Sequence, residues 1–547
     1  MAEQATSTAG KPETANIERV NSRQQGDVAL ARPPERVTRT IFFFSTFIAL
    51  SAAICNFDLN YGGTVLLMVP FNTAFGHCEE LPGPSGSAIQ TCRISALQQS
   101  LTSLTSLFTA VGSALSSVTG TYIGRRGTIQ VGAILVLIGA AGMLGTSSSY
   151  LDYMVCKCIG GIGLGFLYSG TIVYGVECTP SHKRGMLLGL FSIGLGAGSA
   201  VAAGVCAGSA NIRSNWAWKT PIICQIPLSV GLVGGIMLFP ESPRWLLMRN
   251  KESQARLALG KFLHKDPNSD AVSSQVREMQ TYLEFEKVMA STTSFVEMFH
   301  KRALRRTLIS VFLLVIPALG GTFFIIPYTA VFLGGLGIKS PFLITAIVGL
   351  CIFAGSLLSG FTVEYFGRRL SLLLGLSIMG ASMLIFSAVS SGLGTHAKVT
   401  QNVLVAFLCI WCFTFASTAS PALWVASAEM HSVRLRMHGQ ALSLFCNSVF
   451  AFAASFWTPY MINPEHGNMG TNVGYFYFGL LVVILAITIV FVPETGRLKL
   501  EQVDDYFASG VPAWKTSLAR NKKIAEQNIL EVSAEMQDAK QVRLEDD

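Results

Sequence analysis

Charge is what this chain has least of. Only 13% of its 547 residues are charged, against roughly 25% in an ordinary soluble domain. Histidine is scarce, at eight residues, and no His, Cys, Asp or Glu spacing matches a metal site. No nucleophile–base pair and no phosphate-binding loop are present. The lone Gly160-Gly-Ile-Gly-Leu-Gly165 run lies within an apolar stretch, where glycines let helices approach closely. A soluble domain is excluded, and an enzyme, a cofactor and a metal are not expected. The net charge of +8 does not point to nucleic acid, because the basic residues cluster in short loops between apolar runs. Residues 1–36 are polar without an apolar centre, so no signal peptide is expected.

What is abundant is apolar. Half the residues are hydrophobic, 52 are glycine, and the mean hydropathy is +0.48. About 20 apolar residues span a bilayer as a helix. Twelve such stretches are legible, at roughly 41–70, 97–121, 128–147, 151–173, 186–208, 220–239, 307–333, 342–363, 370–389, 402–428, 439–461 and 473–492. The expected fold is an all-α membrane protein of twelve transmembrane helices in two six-helix bundles. The expected division is a polar N-terminal segment (1–40), a first bundle (41–239), a charged helical linker (240–306), a second bundle (307–492) and a polar tail (493–547). Arg125/Arg126, Lys183/Arg184, Arg244 with the linker, Arg368/Arg369 and Arg434/Arg436 alternate with nearly uncharged loops. Arg213 and Lys219 are the exception. The positive-inside bias then sets both termini on the cytoplasmic side.

Most of the twelve cysteines sit in apolar stretches, where cysteine acts as a small buried hydrophobe. Cys78 and Cys92 lie instead in a polar loop expected outside. Both a bridge and two free thiols are compatible with an oxidising compartment.

The chain also repeats itself. Gly124-Arg125-Arg126 recurs as Gly367-Arg368-Arg369, Glu177-Cys-Thr-Pro180 with Arg184 as Glu429-Met-His-Ser432 with Arg436, and Pro240-Glu241-Ser242 as Pro493-Glu494-Thr495. The offsets are 243, 252 and 253 residues. Three echoes at nearly the same offset imply two homologous bundles fused end to end, as many transporters are built.

These motifs carry a resemblance. Pro240-Glu-Ser-Pro-Arg-Trp-Leu-Leu247, Pro493-Glu-Thr-Gly-Arg-Leu-Lys-Leu-Glu-Gln-Val-Asp504 and Gly160–Gly165 leading to Tyr174, Glu177, Pro180 and Arg184 resemble the sugar porter signatures of the major facilitator superfamily. Over about residues 41–507 the chain looks most like the fungal permeases of that family. The resemblance implies a monomeric, multi-pass secondary transporter of the plasma membrane, in contact with lipid. It would move a small solute, with protons as the coupling ion, by alternating access. It also implies gating contacts among Arg125, Arg126, Glu177, Arg184, Glu241, Arg244, Glu364, Arg368, Arg369, Glu429, Arg436 and Glu494. The arginines can pair with acidic residues or cap helix C-termini. The second half keeps Gly360…Glu364…Gly367, whereas the first half has Ser117 and Thr121 at the matching places. Arg125 and Arg126 therefore need another partner, with Glu429 or the helix ends as candidates, and the first-half gate is expected to close less firmly.

Asp58, in Cys55-Asn-Phe-Asp-Leu-Asn-Tyr-Gly-Gly63, falls in the middle of the first span. A carboxylate there is costly unless it faces a cavity and has a partner. By the resemblance it matches the first-helix aspartate of proton-coupled sugar porters, and Lys157 matches the arginine that partners it. A fixed structural ion pair is the other reading.

The resemblance weakens at the solute site. Amide side chains suit sugar hydroxyls because they both donate and accept, yet residues 310–330 contain no Gln or Asn. The family's amide positions in the seventh helix fall on Pro317, Ala318 and Phe323. The candidate solute contacts are Ser192, Thr322, Phe323, Tyr328, Trp424 and Asn447. A sugar or sugar-like solute is one reading. A less hydroxylated compound, such as a quinate-like acid or a secreted metabolite, is another, and a non-transporting nutrient sensor a third. His431 and His438 are expected in the basic rim.

Overall fold

The computed structural model describes residues 38–524, apart from 83–87, 147–148, 180–183, 293–294, 339, 395–396, 433–434, 464 and 499. The N-terminal segment before Thr38 lies outside the described residues.

Among the described residues, eleven helices are long and apolar enough to cross a membrane. One of them, Ala96–Gly145, runs to 50 residues, about twice what a bilayer needs. It turns at Gly124, whose φ of 83° and ψ of 176° are not helical. Counting its two arms separately gives twelve crossings. They are α1 (Arg39–Thr64), α2 (96–123), α3 (125–145), α4 (Tyr150–Cys178), α5 (Arg184–Ser209) and α6 (Trp216–Gly235) in the first half. The second half has α7 (Lys301–Leu319, resuming as Thr322–Gly335), α8 (Pro341–Phe366), α9 (Arg368–Leu393), α10 (398–430), α11 (Arg436–Ile462) and α12 (Val473–Phe491). Gly367, between α8 and α9, has φ 81° and ψ 178°, the same turn as Gly124. Both backbones are in a region that is essentially open only to glycine. The repeated Gly-Arg-Arg is thus a repeated corner.

Two helices are interrupted. In α7 the chain breaks at Gly320-Gly321, with Gly321 at φ 98°. In α10 a π-helical stretch, Phe415–Ala419, precedes Pro421; a wider turn there accommodates the proline ring and its missing N–H.

Each half has its own apolar core, one centred on Phe44, Ile129, Leu167 and Tyr174, the other on Leu313, Phe324, Leu376 and Trp411. A third cluster sits at one end of the molecule and includes Tyr61, Phe71, Tyr153 and Trp218 of the first half and Tyr328 of the second. That end, the hairpin face, also carries two strands absent from the all-helical expectation. β1 (His77–Pro82) pairs antiparallel with β2 (Ala88–Arg93), with Cys78 opposite Cys92, and the two cysteines are joined by a disulfide. The opposite end, the linker face, carries helices Pro243–Met248, Glu252–Leu263 and Asp270–Thr292. Beyond α12 the tail forms helix Leu500–Ser509 and a short turn, Ala513–Lys515.

Candidate functional site

Asp58 and Lys157 meet in the first half. Lys157 Nζ is 2.8 Å from Asp58 Oδ2, and both side chains are about 5% exposed. The ammonium lies 4.1 Å above the Tyr61 ring, whose electron-rich face attracts cations. A Cβ on Gly62 would stand 3.1 Å from Nζ, so this glycine leaves the space that the ammonium uses. Gln225, on α6, donates from Nε2 to Asp58 Oδ1 at 3.2 Å. Both carboxylate oxygens are therefore engaged, one by a charge and one by an amide. The Gln225 Oε1 atom is buried without a partner among the described residues. Gln225 was missed in the sequence reading, although a lone amide in an apolar span is itself a signal.

Farther along α1, Asn56 Nδ2 donates to the Leu195 carbonyl of α5 at 2.7 Å, and Asn60 and Thr64 donate to carbonyls one turn back. These side chains satisfy themselves within the protein, as apolar surroundings demand.

At the linker face the two halves carry matching networks. Arg125 holds Glu177 through two bonds, Nε to Oε2 at 3.0 Å and Nη2 to Oε1 at 2.8 Å. Arg368 holds Glu429 in the same way, at 3.3 and 3.0 Å. Ser242 Oγ donates to Glu177 Oε2 at 2.6 Å, and Thr495 Oγ1 to Glu429 Oε2 at 2.6 Å. Glu241 accepts the amide of Arg125 at 3.0 Å and that of Arg126 at 3.3 Å. Glu494 accepts those of Arg368 and Arg369, both at 3.0 Å. Each glutamate thus caps a helix N-terminus, where orphan amides and the helix dipole favour negative charge. The second arginine of each pair covers the far end of the last helix of its half. Arg126 donates to the Met237 carbonyl, and Arg369 to those of Ile489 and Val492. Burial pushes the Glu241 carboxyl above the usual glutamate range, against its amide bonds and Arg126.

This arrangement corrects two expectations. Arg125 has its partner in its own half, Glu177, and Glu429 is taken by Arg368, so the first half is not short of a bond. Glu364 is exposed and pairs with no basic side chain among the described residues. His431, at the end of α10, is buried at 3% exposure, and its ring packs against Gly439. Arg184 and Arg436 begin α5 and α11, but their side chains lie outside the described residues. Arg244 sits in the first turn of helix Pro243–Met248. Ser242 and Thr495, the hydroxyl members of each network, were not singled out as site residues beforehand. Their identical place after the repeated Pro-Glu was the available signal.

The candidate solute residues separate. Ser192, Phe323 and Asn447 are half-buried, while Trp424 is 41% exposed. Thr322 is buried beside the α7 break, and its hydroxyl has no partner among the described residues. Tyr328 is committed elsewhere. Its hydroxyl lies within 3.2–3.3 Å of the Gln99 and Ser455 carbonyls and the Thr102 hydroxyl. Ser100 Oγ donates to the Phe456 carbonyl at 2.8 Å. Gly63 lies so near Pro327 that a Cβ would overlap its carbonyl. These contacts join the two halves toward the hairpin face, which is closed in this conformation.

Two six-helix halves with matching corners, an irregular α7 and α10 and a buried ion pair define the major facilitator fold. The chain belongs to the sugar (and other) transporter family, which it matches over residues 44–507. It is 28% identical to a galactose transporter of Saccharomyces cerevisiae over 418 residues, 74% of this chain and 72% of that one. It is 26% identical to the major facilitator-type transporter ecdD of Aspergillus rugulosus over 476 residues, 85% and 86% of the two chains. Among solved structures, the inward-open xylose transporter XylE from E. coli shares the fold, with a TM-score of 0.68 at 20% identity. The likeness covers 85% of this chain and 99% of that one. The protein is a multi-pass membrane transporter and not an enzyme.

Proposed function

We propose that this transporter carries a sugar or sugar-like solute coupled to protons, by alternating exposure of a central site. The observation that carries the coupling is the buried Asp58–Lys157 pair, with Gln225 on the free carboxylate oxygen. Protonating Asp58 removes the charge that holds Lys157, and Lys157 then keeps only carbonyl and ring contacts. Deprotonation restores the pair. A step that makes and breaks this bond between α1 and α4 changes how the helices of the first half fit together, and so can favour one orientation of the halves over the other. Coupling requires that difference between states, since a proton bound equally well in both shifts nothing.

The Arg125–Glu177 and Arg368–Glu429 networks act as gates on the linker face. The linker face is cytoplasmic, supported by the basic residues gathered there, and the plasma membrane is the site of action. The sugar reading is supported by the family and by relatives named for galactose and hexoses. A second reading, a less hydroxylated solute such as an organic acid, rests on one observation. Asn447 is the only amide among the six candidate solute residues, and each unpaired sugar hydroxyl costs about 1 kcal/mol or more.

Uptake of labelled hexoses, disaccharides, polyols and quinate-like acids in a transport-deficient host, at two external pH values, tests both. Sugar uptake that rises in acid fits the first reading. Uptake confined to acids overturns it in favour of the second.

A further inference from the structure

The segment after helix Leu500–Ser509 is held to the protein more firmly than a tail needs to be. Asn521 is 3% exposed, and its Nδ2 donates to the Glu494 carbonyl at 2.9 Å and the Gly496 carbonyl at 3.1 Å. The Glu494 amide donates to Thr516 Oγ1 at 2.8 Å. Ala513 is fully buried, in a turn that packs on α12. The segment is therefore pinned where α12 leaves the apolar layer.

Its outward side has a different character. Residues 511–524 contain Lys515, Arg520, Lys522 and Lys523 and no Asp or Glu. All four basic residues are exposed. Trp514, between the buried Ala513 and Lys515, is 57% exposed. Tryptophan at the end of a membrane helix favours the headgroup layer, and clusters of lysine and arginine just cytoplasmic of such a helix attract anionic lipid.

We propose that residues 511–524 are a docking site for anionic phospholipid headgroups of the leaflet at the linker face. Trp514 enters the interface, and Lys515, Arg520 and Lys523 meet the phosphates. The pinning bonds hold the basic groups in place, so little ordering cost opposes binding. The same bonds run to the main chain of Glu494, which caps α9, so lipid held here also steadies the second-half gate.

The test uses the full-length protein in neutral detergent and a fluorescent phosphatidylserine whose anisotropy reports binding. Competitors are unlabelled phosphatidylserine, phosphatidylcholine, soluble glycerophosphoserine and a poly-glutamate peptide. Phosphatidylserine should compete far better than the other three. Each basic residue near an anionic surface is worth about five-fold in affinity. The Lys515→Gln/Arg520→Gln/Lys523→Gln variant should therefore bind about a hundred-fold more weakly. Trp514→Ala, which keeps the charges, should bind several-fold more weakly. Unchanged affinity in both variants overturns the proposal. Equal competition by phosphatidylcholine or glycerophosphoserine overturns it too. Equal competition by poly-glutamate assigns the patch to an acidic protein segment instead.

Discussion

Replacing Gly367 with alanine should damage the transporter out of proportion to one methyl group. The backbone at Gly367, φ 81° and ψ 178°, costs about 1–3 kcal/mol for a residue with a side chain. The added carbon would also stand 2.6 Å from Glu494 Oε2, well inside van der Waals contact, so the carboxylate must shift. It accepts two main-chain amides at 3.0 Å, and a hydrogen bond to a charged group is worth about 1.5–3 kcal/mol. Strain plus one lost bond comes to about 2.5–6 kcal/mol. For a cooperative unit of 150–250 residues, each kcal/mol moves the melting point by about 2–4 °C, so a fall of about 5 °C or more is expected. Gly124→Ala should behave alike, because its φ is 83° and the same intrusion falls on Glu241. Gly360→Ala is the control: nothing lies within 4 Å of its added carbon, and no loss is expected. The assay is thermal unfolding of the purified protein together with solute uptake in cells. A Gly367→Ala protein that melts and transports like the unaltered one refutes the reasoning, and so does a Gly360→Ala protein equally damaged.

Three further outcomes follow from the geometry. Arg125→Ala strips Glu177 of its cation and should alter turnover strongly, whereas Thr121→Asp should change it little, because Arg125 is already paired; transport kinetics of the two variants decide this. Cys78→Ser/Cys92→Ser opens a loop with a sequence separation of 14. A bridge across about 15 residues is worth about 3 kcal/mol at most in the chain-entropy account, and faster proteolysis of the hairpin is the readout. Burial raises the Glu241 carboxyl above its unfolded value, so the folded protein binds the extra proton. Its contribution to stability is present at acid pH and is lost as pH rises through the raised value. Glu241→Gln should remove that slope from a plot of melting temperature against pH, and an identical slope in both proteins counts against it.

Much of the architecture was legible because a membrane forces it into the sequence. Apolar runs of bilayer length marked the crossings, and the positions of Arg125/Arg126 and Arg368/Arg369 marked their ends. Asp58 and Lys157 stood out because charge is rare in such runs, and they do meet. What escaped was contact between elements whose residues look ordinary. Gln225 reads as one polar residue in α6, and its bond to Asp58 depends on how α6 packs against α1. The capping role of Glu241 and Glu494 depends on the positive φ of Gly124 and Gly367, which sequence spacing does not reveal. Glu364 is a gating residue by the resemblance, yet Arg368, at the start of the next helix, turns toward Glu429 instead. Tyr328 suggested a solute contact by its place in α7, and the closed hairpin face occupies its hydroxyl. The β-hairpin was hidden in a short loop without a strong alternating pattern.

The central claim is that Asp58 couples proton movement to solute movement. The most direct measurement compares the unaltered protein with Asp58→Asn in proteoliposomes, with an imposed pH gradient and a labelled solute found in the uptake panel. The account predicts that the unaltered protein accumulates solute against its gradient, while Asp58→Asn still exchanges solute at equilibrium but accumulates none. Equal accumulation by both proteins would contradict it.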